Sequence, residues 1–100
     1  MIANSILLNE KDNIITTVIT LKQGKKAIYF KGKELISIEV KTDIPSCHKI
    51  ALKNLEKGEL IIKYGEIIGR SLTEINEGML VDHNNIESIP RNYSEEIGEC

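Results

Sequence analysis

One hundred residues, 41% apolar and 28% charged, make a single small domain and leave no run of about 20 apolar residues for a membrane span. A net charge of -2 with both signs mixed, only 4% aromatic residues and no tryptophan argue against a nucleic-acid binder and its stacking platforms. Two cysteines, Cys47 and Cys100, are too few for a disulfide framework or a zinc site, and the N-terminus lacks the basic start and long apolar run of a signal peptide, so a cytoplasmic protein is expected.

In chain order, residues 5–9 and 13–18 read as short strands broken by the polar turn Glu10-Lys11-Asp12. A helical turn follows and ends at Gly24. Residues 27–31 hold the β-favouring Ile28, Tyr29 and Phe30, and Gly32 turns the chain into 35–40. There Ile36, Ile38 and Val40 alternate with Ser37 and Glu39, the period of a half-buried strand, so 27–40 form a hairpin. The segment 41–46 is a loop in which Pro45 biases Ile44 to an extended conformation. It delivers His48 and Lys49 to the start of the next strand. Strands over 59–63 and 67–70 flank Gly65, a further helical turn covers 71–76, and a last strand covers 79–82. Residues 1–88 are the expected domain and 89–100 a polar, acidic tail.

One spacing occurs three times: Val18-x-x-Leu21-x-x-Gly24, Leu52-x-x-Leu55-x-x-Gly58 and Leu72-x-x-Ile75-x-x-Gly78. Two apolar residues three apart lie on one face of a helical turn, and the glycine can take the left-handed conformation that ends it. Each copy is expected to plug both apolar residues onto a sheet and to feed the next strand. The sum is a mainly β fold of short strands with helical elements of one or two turns. Lys22, Lys25, Lys26, Lys31 and Lys33 form a local basic cluster. They either discourage pairing at an exposed edge or face an acidic partner or anionic substrate.

Two polar clusters hold the only histidines: His48-Lys49 and Asp82-His83-Asn84-Asn85. Histidine suits a general base or a metal ligand, and Lys49 suits a carboxylate as a point charge. Asp82 and His83 could serve a cation, and Asn84 and Asn85 could bond hydroxyls. The plain alternative is a surface histidine and an Asx-type turn. Cys47 and the adjacent His48 point to opposite faces of an extended chain, a poor geometry for a thiolate nucleophile. Two histidines and one aspartate do not fill a metal's coordination shell.

At these residues the chain resembles the N-terminal region of the altronate and galactarate dehydratase family. The resemblance rests on His48-Lys49, Ile62-Lys63-Tyr64-Gly65 and Ile68-Gly69, with Asp12, Asn13, Leu21 and Gly24 upstream, and covers about residues 12–88. It implies a SAF-type domain with a β-clip fold, which fronts a long catalytic chain or stands alone as a small subunit. The implied reaction removes water from a sugar acid such as altronate or galactarate with a divalent metal, usually iron, held mainly by the large subunit. The implied roles are His48 in catalysis, Lys49, Tyr64, Asn84 and Asn85 in substrate binding, and Asp82 and His83 as metal ligands shared with the partner chain. In two places the chain departs from the family pattern. Cys47 stands where the family has glycine before His-Lys. Asp82-His83-Asn84-Asn85 replaces a closing His-x-His-Asn, which points to a different substrate or a lost activity.

The leading reading is therefore a lid or substrate-recognition subunit, inactive alone, of a sugar-acid hydro-lyase; the small subunit of a sulfolactate sulfo-lyase is a related form. A free-standing anion-binding module would instead be stabilised by ligand without a partner. A structural or oligomerisation domain would tolerate alanine at His48 and Lys49. A swapped-hairpin DNA binder has the wrong charge. Homo-oligomerisation through exposed strand edges is open.

Overall fold

The β-branched runs of the sequence become nine short strands among the described residues, 2–89, of a computed structural model. They are β1 (Ser5–Ile6), β2 (Ile14–Thr17), β3 (Lys26–Lys31), β4 (Glu34–Glu39), β5 (Lys49–Ala51), β6 (Leu60–Lys63), β7 (Glu66–Ser71), β8 (Leu80–Val81) and β9 (Ile86–Ser88). All pair antiparallel. A central sheet runs β1-β2-β5-β8, β3-β4 is a separate hairpin, and β6-β7-β9 form a second small sheet. The first predicted strand shrinks to two residues. β9 was not expected, and Ile89 continues its pairing by donating to Ile68 O at 3.0 Å. The rest of the predicted tail, including Cys100, lies outside the described residues.

The fold is mainly β as expected, but the predicted helical turns are absent: no helix occurs among the described residues. In each repeat the second apolar residue is buried in the core, while the first is exposed in two copies and only half-buried against the core in the third, Leu52. Leu21, Leu55 and Ile75 are buried, whereas Val18 and Leu72 are 46% and 44% exposed. The reason lies in the backbone. Leu21 and Ile44 exchange both N–H···O bonds (2.8 and 2.7 Å), and Leu55 and Ile75 do the same (2.7 and 2.9 Å). A helical turn directs those groups along its own axis and could not reach across to another segment. The exchange also exposes a fourth copy that spacing alone concealed, Ile44-Pro45-Ser46-Cys47. Its Cys47 has φ +67, in the left-handed region occupied by Gly24, Gly58 and Gly78 at the other three turns.

The four turns form two crossed pairs. Gly24 N donates to Val40 O and Cys47 N to Thr17 O in the first pair; Gly58 N donates to Ser71 O and Gly78 N to Ala51 O in the second. The unit that contains them is duplicated. Asn4 donates its backbone N–H to Ile28 O, accepts Ile28 N–H on Oδ1 and donates Nδ2–H to Lys26 O. Asn13 makes the same three bonds to Ile62 O, Ile62 N and Leu60 O. Each asparagine thus fastens the first strand of one hairpin to the central sheet. Each half has its own apolar cluster, one around Ile15, Ile44 and Ile50 and one around Ile14, Leu55 and Ile61. β2 joins them, because alternate residues point to opposite faces.

Candidate functional site

The strand register brings the two polar clusters to one place. Lys49 in β5 pairs with Val81 in β8. His48 and Asp82, each one residue beyond that pair, therefore stand at the same end of neighbouring strands. His48 is exposed and is held by its main chain: its N–H donates to Pro45 O (3.2 Å) and its carbonyl accepts Thr17 N–H (3.0 Å). The ring Nδ1 lies 3.0 Å from Ser46 O. A carbonyl can only accept, so Nδ1 carries the proton, and in the neutral ring the Nε2 lone pair remains available as a base. Lys49 is half-buried and shares the sheet face of its Cα partners Thr16 and Val81.

Asp82-His83-Asn84-Asn85 is a turn between β8 and β9, and its polar groups largely serve one another. Asp82 Oδ1 accepts Asn84 N–H (3.0 Å) and Oδ2 accepts Asn84 Nδ2–H (3.3 Å). Asn85 Oδ1 accepts Asp82 N–H (2.9 Å), and its Nδ2 donates to Leu80 O (2.7 Å). Asn85 O accepts Leu72 N–H, as Asn4 O accepts Val18 N–H and Asn13 O accepts Leu52 N–H. Asn85 is thus a third asparagine bracing a repeat turn. His83 and Asn84 are exposed. No three His, Cys, Asp or Glu side chains gather to hold a metal ion among the described residues. Asp82 and His83 therefore do not form a metal site by themselves.

Tyr64 lies elsewhere. It sits at the tip of the β6-β7 hairpin with φ +59, and its ring is 5.6 Å from Lys63 Nζ. Its N–H and that of Gly65 donate to Asp12 Oδ2 (3.0 Å) and Oδ1 (2.8 Å). Asp12 precedes β2 and His48 flanks the far end of that strand, about 16 Å away at the rise of an extended chain. The Lys-Tyr-Gly motif and the His-Lys motif are therefore at opposite ends of the central sheet. The sequence places Asp12 in a polar turn and in the family resemblance without giving it a role; its carboxylate is the buried clamp of the Tyr64 turn. The available signal was the Asp-Asn pair directly before a strand.

Among the described residues, two groups are shifted from their ordinary values, both outside the rim. Glu59 is lowered, chiefly by its bond to Lys53 (2.9 Å) and then by the N–H of Glu56 (3.0 Å). Tyr29 is raised, chiefly by burial and then by the charge of Glu77.

The profile of the altronate/galactarate dehydratase SAF domain matches residues 3–89. An altronate dehydratase of Bacillus subtilis (strain 168) is 31% identical over 90 residues, which cover 90% of this chain and 17% of that protein. The alpha subunits of (2R)-sulfolactate sulfo-lyase from Chromohalobacter salexigens and Paracoccus pantotrophus are 38% and 39% identical over 53 and 51 residues. Those matches cover 53% and 51% of this chain and 56% and 76% of the subunits. The chain thus spans about a sixth of the dehydratase and little more than half of the first sulfo-lyase subunit.

Proposed function

The chain belongs to the altronate/galactarate dehydratase SAF-domain family, and on that premise we propose that it is the substrate-facing lid of a sugar-acid hydro-lyase whose large chain bears the metal. The observation that carries this reading is the orientation of His48. Its Nδ1–H is anchored on Ser46 O, which leaves Nε2 directed to an exposed rim on a backbone fixed from both sides.

Removing water from a hydroxy acid needs a base for the α-proton and an acid for the departing hydroxyl. His48 takes or returns one of these protons through Nε2, a contribution of about 10²–10⁴-fold. Lys49 adds positive charge near the substrate carboxylate. Asp82 and Asn84 hold the neighbouring turn in shape, and Tyr64 contacts the partner or substrate at the other end of the sheet. A divalent metal on the large chain, iron by family resemblance, would acidify the α-proton of a chelated hydroxy acid. Among the described residues no three His, Cys, Asp or Glu side chains gather to hold that metal.

The test is turnover of a panel of sugar acids and of sulfolactate, by this chain alone and with the large dehydratase chain of the same genome plus ferrous iron. Activity only in the mixture is expected, with kcat reduced about 10²–10⁴-fold by His48→Ala. Undiminished turnover by that variant would remove His48 from the chemistry. Turnover confined to sulfolactate would favour a second reading, the small subunit of a sulfo-lyase, which the two alpha-subunit relatives support.

A further inference from the structure

The duplicated unit leaves its apolar positions covered in one copy and open in the other. Ile15 in β2 is 1% exposed; Ile6, its counterpart in β1, is 47% exposed. Ile6, Val18 and Phe30 line a cleft of about 340 Å3 beside β1, and the exposed Leu35 is the register partner of Phe30 in the β3-β4 hairpin. Phe30, the sole phenylalanine of the chain, is 51% exposed. Clustered exposed apolar side chains on a small domain mark an interaction surface, and an aromatic at its centre is a common anchor.

Charge indicates what fits. Residues 22–34 contain five lysines and one glutamate. Lys25, Lys26, Lys31 and Lys33 are exposed and make no ion pair among the described residues. The cleft also adjoins the candidate site: Thr17, whose N–H bonds His48 O, directly precedes Val18. A body seated over Val18 and Phe30 is thereby brought up to the His48 rim.

We propose that this cleft docks the large catalytic chain, through an apolar side chain ringed by acidic residues. The proposal rests on the functional reading above. A second copy of this chain is a poorer occupant, because a two-fold contact would set the same lysines against each other.

The test is titration calorimetry of this chain against the separately produced large dehydratase chain of the same genome. Phe30→Asp and the double variant Lys31→Glu/Lys33→Glu should each raise Kd roughly tenfold or more. Thermal unfolding checks that each variant is folded. If Phe30→Asp is not, Phe30→Ser takes its place. If the wild type binds and both variants bind equally well, the docking face is wrong while the functional reading stands. If the wild type does not bind the large chain, both fall. A dimer of this chain alone in sedimentation, dispersed by Phe30→Asp, would assign the cleft to a second copy and overturn the proposal.

Discussion

Single residues carry much of this fold's local specification. Cys47 occupies a left-handed position that glycine fills at the three equivalent turns, and the strain of a Cβ there is about 1 kcal/mol. Cys47→Gly, measured by urea unfolding under reducing conditions, should be neutral or up to about 1 kcal/mol stabilising, since glycine also frees the unfolded chain. Gly78→Ala should behave in the opposite way. Its added Cβ would collide with Glu39 O, whereas at Gly24 the same atom meets open space. Gly78→Ala should therefore cost clearly more than the roughly 1 kcal/mol of a conformational penalty alone. Glu59 supplies a pH test. Its folded-state pKa lies below the unfolded value, chiefly through Lys53, so its stabilisation is present above the unfolded value near 4.5 and is lost as pH falls through the folded one. The pair is partly exposed, so Lys53→Ala should cost only about 0.2–1 kcal/mol at pH 7. That difference should shrink as pH falls through the folded-state value, because the carboxylate is then protonated in both states.

Between residues and the whole chain, the hairpins depend on side chains that replace missing strand partners. Asn13 offers β6 the bonds of a neighbouring strand, and Asp12 does the same for the turn that follows it. Asn13→Ala leaves Leu60 O and Ile62 N without those partners in a half-buried place and should cost about 2–3 kcal/mol. Asp12→Ala should speed hydrogen exchange at Tyr64 and Gly65 with little change at the β3-β4 hairpin, which Asn4 fastens independently. Gly69 follows the same logic of close approach: a Cβ there would meet Glu87 O of β9, so the Ile-Gly of the family resemblance reflects backbone packing between β7 and β9.

At the scale of the molecule, two apolar clusters share one sheet. Ile14 and Ile15 are neighbours in β2, yet they enter different clusters. Neither half can open without exposing the strand that serves both. Leu21→Ala and Leu55→Ala, one in each cluster, should each cost about 2–5 kcal/mol and should leave a single unfolding transition that is lowered throughout. Two separate transitions in calorimetry would show that the halves are independent. The same sheet places His48 and Asp82 at one end and the Tyr64 turn at the other. A partner that uses both ends must therefore span its length.

The strand runs, the β3-β4 hairpin, the repeated turn spacing and the family were all legible in the sequence. Alternation and glycine placement act over a few residues and report on local backbone directly. Three things were decided only by tertiary structure. The turns are not helical, because their central N–H and C=O groups find partners in another turn rather than in their own. The fourth turn was hidden because Lys41 and Cys47 stand where the motif shows an apolar residue and glycine. The candidate site could be read as two motifs but not assembled: the pairing of β5 with β8 unites His48 and Asp82, and the length of β2 separates them from Tyr64. Spacing along the chain holds no record of which strands pair, since register is set by the burial of both faces at once.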